Sequence, residues 1–168
     1  MIEYIRVRER GASPRGMRKV WNAGSKLAFM AAAEFFDDHL RDRRFTTAHA
    51  QAAGYTKRKG EGLPRGTKAY RRSYAGQKES RYKHNRPLEK SGDTREKLRT
   101  GGRRTSTKEK ARITYSQARV FNYNHPKSMV RMSDEFTRVL PEENEQMAEV
   151  YDSRLDRELA DTSFQSVQ

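Results

Sequence analysis

Residues 17–40 carry two apolar stripes at helical spacing, and this pattern constrains the fold more than any other in the chain. The first stripe consists of Met17, Val20, Trp21, Gly24, Leu27, Ala28, Ala31 and Phe35, and the second of Phe29, Ala33, Phe36 and Leu40. Residues three or four apart share one face of an α-helix, so the spacing predicts a long helix over Met17–Leu40. Two stripes predict a helix covered on more than one side, by its own sheet and, in an oligomer, by a neighbouring subunit.

The segments on either side of this helix are predicted from turn and cap residues. Ile2–Arg8 alternates loosely, and residues 1–16 are interpreted as an N-terminal arm or strand that ends in the Gly/Pro-rich break Gly11–Gly16. Thr46–Ala53 is expected to form a further helical turn or two, with Thr46 or Thr47 as its cap and Gly54 as its stop.

Residues 55–90 show no hydrophobic period. Glycine and proline interrupt a run of Lys, Arg and Tyr side chains from Tyr55 to about Pro87. A loop of this length is uncommon inside a compact domain. We therefore expect a long, extended basic excursion from the domain.

The remaining elements are short, except for the last helix. Asp93–Glu96 fits a capping box that would start a short helix ending at Gly101-Gly102. Four segments are expected to be strands: Arg103–Thr107, Lys110–Ser116, Val120–Tyr123 and Phe136–Leu140. Pro141 and the acidic residues after it favour the start of a closing helix that runs to about Ala160.

The predicted fold class is therefore α+β: a long N-terminal helix, a small antiparallel sheet and a C-terminal helix, with a long extended basic loop. A single domain is expected over residues 17–160, containing the excursion at 55–90, and residues 161–168 are expected to form a flexible tail. Only 33% of the residues are apolar, so the core must be small. The side chains expected to pack in this core or against another subunit are Trp21, Phe29, Phe36, Met147, Tyr151 and Leu155.

Charge is segregated along the chain. Residues 1–133 contain 33 Lys and Arg against 12 Asp and Glu, whereas residues 134–168 contain 3 against 10. The segment Tyr55–Arg112 alone has 20 basic and 6 acidic residues. So positive a segment attracts a polyanion or an acidic protein partner. The acidic C-terminal segment is such a partner if another copy of the chain supplies it.

No motif for catalysis, metal binding or cofactor binding is present. The chain has no cysteine, and its four histidines lie far apart without a second ligand at metal-site spacing. The acid pairs Asp134-Glu135 and Glu142-Glu143 are interpreted as a solvated or interface-facing helix surface rather than a general acid/base pair. We expect no catalytic residue, no metal and no cofactor, and a protein that is not an enzyme. A basic enzyme with a diffuse active site is the least favoured alternative.

No apolar run approaches the roughly 18 residues of a membrane span, and the N-terminus lacks the apolar stretch of a signal peptide. We therefore expect a soluble protein made in the cytosol, with no membrane partner.

The basic segment is the candidate binding surface. Nine side chains are predicted to contact a polyanion or an acidic partner: Lys57, Arg58, Lys59, Arg71, Arg72, Arg81, Lys83, Arg103 and Arg104. Tyrosines alternate with them, and tyrosine rings can stack on exposed bases while Lys and Arg neutralise phosphates. A solvated basic loop whose tyrosines pack on their own domain explains the composition equally well. No sequence-reading nucleic-acid motif is present.

Several short motifs resemble the head–tail joining proteins of tailed bacteriophages. The motifs are Phe45-Thr-Thr-Ala, Ala53-Gly-Tyr-Thr-Lys-Arg, Arg86-Pro-Leu-Glu-Lys-Ser-Gly92 and Glu135–Glu143, which leads into the last helix. In this order they are similar to the tail-completion, or neck, proteins related to the virion-morphogenesis family. The resemblance covers roughly Met17–Leu159.

The resemblance implies a structural virion protein, made in the host cytoplasm, that forms a homo-oligomeric ring of about six or twelve copies in the connector. Such a ring joins the portal or adaptor to the tail and surrounds the DNA channel, so non-specific contact with DNA is also implied. The alternative is a non-specific nucleic-acid-binding protein that uses the basic, tyrosine-interleaved segment.

Overall fold

The computed structural model describes residues 14–117, 119–122 and 129–165, and among them the side chains of residues 15–161. The long first helix is confirmed: α1 spans Pro14–Phe35, with its proline in the first turn, where no N–H is needed. Residues 14–16 thus belong to the helix rather than to the predicted arm, whose other residues lie outside the described ones. The chain continues in a π-helical turn, Phe36–Leu40, and a 3₁₀-helix, Arg41–Phe45.

The next helix, α2, spans Thr47–Ala52 and is capped as its sequence predicts. The Thr46 hydroxyl accepts a hydrogen bond from the backbone N–H of His49 at 3.2 Å. Gly54 follows the helix with a φ of +63°, a left-handed conformation that favours glycine.

The prediction of an extended basic excursion is wrong. Residues 55–58 are irregular and residues 59–67 form turns, and two helices follow: α3 at Lys68–Arg72 and α4 at Tyr74–Tyr82. Thr67 caps α3 and Ser73 caps α4, each through its hydroxyl. Hydrophobic periodicity did not predict these helices because both are short and few of their side chains face inward. One of the buried side chains, that of Lys78, is also charged.

The short helix and the hairpin that follow are confirmed. Helix α5 spans Asp93–Gly101, but its cap is Gly92, with a φ of +101°, so the predicted capping box is not formed. Strands β1, Gly102–Ser106, and β2, Ala111–Tyr115, pair antiparallel, with Gly102 opposite Tyr115 and Ser106 opposite Ala111.

Two predicted strands are wrong. Arg119–Asn122 is a 3₁₀ turn, and Tyr123 lies outside the described residues. Residues Met132–Phe136 form helix α6, and residues 138–140 are irregular. The rings of Phe121 and Phe136 stack with their centroids 5.0 Å apart, so these aromatic side chains fill a core rather than extend the sheet.

The closing helix, α7, spans Pro141–Gln165. It extends past the predicted end near Ala160, and residues 161–165 of the predicted tail are therefore helical. Helices α1 and α7 run antiparallel, because Ser25 and Phe29 contact Tyr151 while Gly24 lies beside Leu155.

The described chain thus has the predicted α+β arrangement, with a long first helix, a two-stranded sheet and a closing helix. Its hydrophobic core is small, as the composition requires. It consists of Phe45, Leu88, Leu98, Phe121 and Phe136, with Tyr55, Tyr115 and Met132 packed against them. These residues come from the 3₁₀-helix after α1, from α5, β2, the second 3₁₀ turn and α6, and from two loops, so the core draws distant segments together.

Candidate basic interaction surface

Seven of the nine predicted contact residues have exposed side chains. They are Lys57, Lys59, Arg71, Arg72, Arg81, Lys83 and Arg103. Arg71 and Arg72 end α3, and Arg81 stands over the ring of Tyr82 near the end of α4. The structure therefore presents most of the basic segment as a surface of short helices and turns.

Arg58 has a different position: it is an internal anchor. Its guanidinium donates to both carboxylate oxygens of Glu135, at 2.5 Å and 3.1 Å, and the Thr56 N–H donates to the same carboxylate at 2.9 Å. Only 1% of Glu135 is exposed. The pair ties the turns after Tyr55 to α6, so Arg58 is not free to contact a partner.

Arg104 also faces the protein. It points to the side of the hairpin that packs on α1, where its guanidinium lies 3.9 Å from the carboxylate of Asp37. The same carboxylate accepts hydrogen bonds from the Tyr115 hydroxyl at 2.8 Å and from Arg41 at 2.9 Å. Burial, and the hydrogen bond to the Asp37 carboxylate, raise the pKa of Tyr115 far above its usual range. Asp37 therefore fixes the orientation of the hairpin.

The basic segment Tyr55–Arg112 contains four tyrosines, and two of them are unavailable for stacking on bases. Tyr55 packs against the hydrophobic core, and its burial raises the pKa of its hydroxyl to about 12. Tyr70 is buried between α3 and α4, where its hydroxyl donates to Glu79 and accepts a hydrogen bond from Asn85 at 2.9 Å. Tyr74 is exposed and Tyr82 is half-buried. The tyrosines thus serve mainly as packing residues of the basic segment.

Lys78 is a basic side chain of the same segment that is buried. Its ammonium donates to the backbone carbonyl of Arg86 and lies 5.9 Å from the centre of the Tyr74 ring. Burial lowers its pKa to about 8. Lys78 therefore holds α4 against residues 86–89 and takes no part in the basic surface.

The outer face of the hairpin carries basic residues that our prediction missed. Arg112 is exposed on β2, on the same side as Arg103 of β1, and Lys108 and Lys110 lie in the turn between the strands. Consecutive side chains of a strand point to different faces, so Arg112 and Ile113 lie on different faces of β2. This alternation, visible in the sequence, predicts that Arg112 points outward.

The acidic residues divide into two groups. The prediction of a solvated surface is wrong for Glu135 and Glu143, which are buried beside Arg58 and Arg44. Five other acidic side chains are exposed at three- and four-residue spacing along α7: Glu142, Glu145, Glu149, Asp152 and Asp156. This spacing places these five residues, the acidic stripe, on one face, and Leu155 faces α1 from the other side.

The predicted packing residues differ in their exposure. Leu155 is buried against α1, the rings of Phe29 and Tyr151 lie 4.7 Å apart, and Met147 is half-buried. Phe36 packs under the Arg44 guanidinium, whose central carbon lies 5.0 Å from the centre of the Phe36 ring.

Trp21, by contrast, is 51% exposed, and Met17 and Leu27 are 62% and 43% exposed on the same helix. These three side chains are the exposed apolar surface of α1, and they flank Gly24, which is covered by Leu155 of α7.

Among the described residues, no group of three or more His, Asp or Glu side chains is arranged to hold a metal ion. None of the helices in this part of the chain combines the length and the hydropathy needed to cross a membrane. Comparisons with family models, with curated proteins and with solved structures find no match for the chain. Its function is therefore inferred from its own charged and apolar surfaces and from the order of its motifs.

Proposed function

We propose that this chain is a structural virion protein of the neck of a tailed bacteriophage. It forms a homo-oligomeric ring that joins the portal or adaptor to the tail and surrounds the DNA channel. The resemblance of its motifs to head–tail joining proteins supports this proposal. So does the element order, in which a long helix, a short helix, a hairpin and a closing helix follow one another.

The observation that carries the proposal is that exposed acidic and exposed basic side chains are concentrated on different elements. The acidic stripe of α7 contrasts with the basic side chains exposed on α3 and α4 and in the turns before them. A closed ring uses heterologous contacts, in which one surface of each copy meets a different surface of the next. A subunit with separate acidic and basic surfaces suits such contacts, because their potentials are complementary.

The exposed apolar surface of α1 supports the same assembly. Met17, Trp21 and Leu27 belong to the same apolar stripe as Gly24, which packs against α7, and they are exposed beside that contact. Large exposed aromatic and methionine side chains are enriched in protein interfaces. In the proposed ring, this surface is covered by the neighbouring copy, which completes the burial that the two apolar stripes predict.

The proposed role is non-catalytic and needs no cofactor. The chain would contact portal or adaptor and tail proteins along the axis of the ring and would be found in the virion. Mass measurement of the purified protein and imaging of particles test the proposal together. We expect a discrete oligomer and a ring at the neck; a strict monomer that is absent from particles would contradict it.

A charge-reversal experiment tests the contact itself. Glu149→Lys with Asp152→Lys should weaken self-association at least about tenfold, because like charges then face each other. The matched control is Glu96→Lys with Glu109→Lys, which changes the net charge equally at exposed sites outside α1 and α7. Light scattering at a series of concentrations measures both. Equal weakening in the two variants would show that net charge, and not the stripe, controls assembly.

A second candidate function is non-specific nucleic-acid binding without a role in a ring. The exposed basic side chains of α3, α4 and the turns before them favour it, whereas the burial of Tyr55 and Tyr70 removes much of the expected base stacking. It predicts binding that weakens steeply with salt, because phosphate contacts release counterions. If the protein retards no oligonucleotide at low salt, this candidate is excluded.

A further inference from the structure

The hairpin of β1 and β2 has two chemically different faces. The inner face packs toward α1 and holds Arg104, Ile113 and Tyr115. The outer face consists of four exposed side chains, Arg103, Thr105, Thr114 and Arg112. Arg103 lies opposite Thr114, and Thr105 lies opposite Arg112. The two arginines are therefore diagonal neighbours, with their Cα atoms about 7–8 Å apart.

The turn extends this basic face to the tip of the hairpin. The Thr107 hydroxyl accepts hydrogen bonds from the N–H groups of Glu109 and Lys110, at 3.3 Å and 3.2 Å. The Thr107 N–H donates to the carbonyl of Lys110 at 2.8 Å. These bonds fix the backbone between Lys108 and Lys110, and the side chain of Glu109 is the single acidic group on the outer face or in the turn.

The orientation of the hairpin is held from the inner side. Tyr115 and Arg104 both reach Asp37, and a side chain at Gly102 would meet the same carboxylate and the Tyr115 ring. The outer face is therefore a preorganised row of cations rather than a set of side chains on a loose loop. Preorganisation reduces the entropy lost when a partner binds.

We propose that the outer face of the hairpin, with its turn, binds the phosphate backbone of double-stranded DNA without reading its sequence. The proposal rests on the proposed function only for the presence of duplex DNA beside the protein. Duplex DNA presents a negative charge about every 1.7 Å along its axis, so each cation of the row meets a phosphate. Threonine hydroxyls are common additional donors to phosphate oxygens.

The composition of the face favours a duplex over other partners. It has no aromatic side chain on which the bases of a single strand would stack. It also lacks the buried apolar or aromatic anchor around which protein interfaces are built. Two-stranded β-ribbons have the width to enter the major groove of B-DNA, so the whole row can approach a duplex.

Binding of the full-length chain to a fluorescent duplex of mixed sequence, over a series of salt concentrations, tests the proposal. Arg103→Gln with Arg112→Gln should weaken binding about tenfold at low salt and reduce the slope of log K against log salt by about 1.8. Lys108→Gln with Lys110→Gln should reduce the slope similarly. Glu109→Gln should tighten binding, because it removes the negative charge at the tip.

The control is Lys68→Gln with Lys90→Gln, two exposed lysines outside the hairpin whose loss lowers the net charge equally. The slope of this control should not change. Equal losses in control and hairpin variants, or tighter binding to a single strand than to the duplex, would overturn the proposal. So would polyglutamate binding that matches duplex binding and responds to the same substitutions.

The two proposals fail separately. A monomer that binds duplex DNA through the hairpin would overturn the ring and keep this inference. If particles contain the ring but none of the three hairpin variants changes DNA binding, the ring is kept and this inference is overturned.

Discussion

Each of the four carboxylates buried among the described residues, those of Asp37, Glu89, Glu135 and Glu143, lies beside an arginine. The pair of Arg44 and Glu143 is the most deeply buried: Arg44 is 0% exposed, and its Nη1 donates to Glu143 at 2.5 Å. His49 lies 3.2 Å from the same nitrogen, and the Leu140 N–H donates to the other carboxylate oxygen. At this scale, stability depends on whether every buried charge has its partner.

Removing one member of this pair should destabilise the protein strongly. We expect Arg44→Met to lower the free energy of unfolding by about 3–5 kcal/mol, because it leaves Glu143 buried and unpaired. Among the described residues, Nε and Nη2 of Arg44 have no hydrogen-bond partner, so the pair does not fully offset its desolvation. Arg44→Met with Glu143→Leu should therefore recover much of the loss. Urea unfolding measures the free energy of unfolding of both variants. Additive losses in the double variant would contradict this account.

A second residue-scale prediction concerns Gly76, at the start of α4. A Cβ there would overlap the carbonyl oxygen of Tyr70 and lie 2.7 Å from its carbonyl carbon, and these are backbone atoms of α3. Gly76→Ala should cost about 1–3 kcal/mol, because α3 and α4 must move apart. Gly62→Ala is the control, since no atom lies within 4 Å of its added Cβ. Thermal or urea unfolding should separate the two variants; equal effects would contradict the predicted overlap.

At the scale of elements, the long periodic segments, the short helices α2 and α5 and the hairpin were predicted correctly, whereas α3, α4 and α6 were not. Helices α1 and α7 have enough turns for an apolar face to emerge from the sequence. Helix α3 has five residues, and Tyr70 is its one buried side chain. Helix α6 is also five residues long, and a buried charge, Glu135, breaks its apolar pattern. Only contacts with distant segments decide such elements.

The covered and the exposed positions of the first stripe of α1 should respond differently to substitution. Leu155→Ala, on the α7 side, should lower the free energy of unfolding by about 2–5 kcal/mol, because Leu155 fills the contact with Gly24. Trp21→Ser should leave the unfolding free energy of the subunit within about 1 kcal/mol, since Trp21 is half exposed and both residues have similar helix propensity. If α1 forms the subunit contact, the same variant should reduce self-association in light scattering. Large destabilisation by both would show that Trp21 is part of the core.

At the scale of the whole molecule, stability should fall as the pH decreases from 7 to 4. Burial and the charge of Arg44 keep the pKa of His49 below its ordinary 6.5. The unfolded chain thus takes up this proton first, so the contribution of His49 is complete above about pH 6.5 and decreases below it. Burial alone would raise the pKa of Glu143, but hydrogen bonds from Arg44 and the Leu140 N–H outweigh it and hold the pKa below 4.5. The stability contributed by Glu143 is therefore lost at lower pH than the contribution of His49, as the Glu143 carboxylate becomes protonated.

Urea unfolding at a series of pH values measures this dependence. His49→Gln keeps an acceptor for Arg44 and should flatten the curve between about pH 5 and pH 7. His39→Gln is the control, because His39 is exposed. An unchanged curve in the His49 variant would show that another group causes the loss of stability.

The sequence by itself determined the long first helix, the alternating faces of the hairpin, the closing helix and the segregation of charge. Each follows from a local period or from a count of residues. The tertiary structure alone decided which charges are available to a partner, because pairs such as Arg44 with Glu143 and Arg58 with Glu135 join residues far apart in sequence. Arg58 and Arg103 look alike in the sequence. One is an internal anchor and the other is exposed on the hairpin, because only Arg58 meets a buried carboxylate.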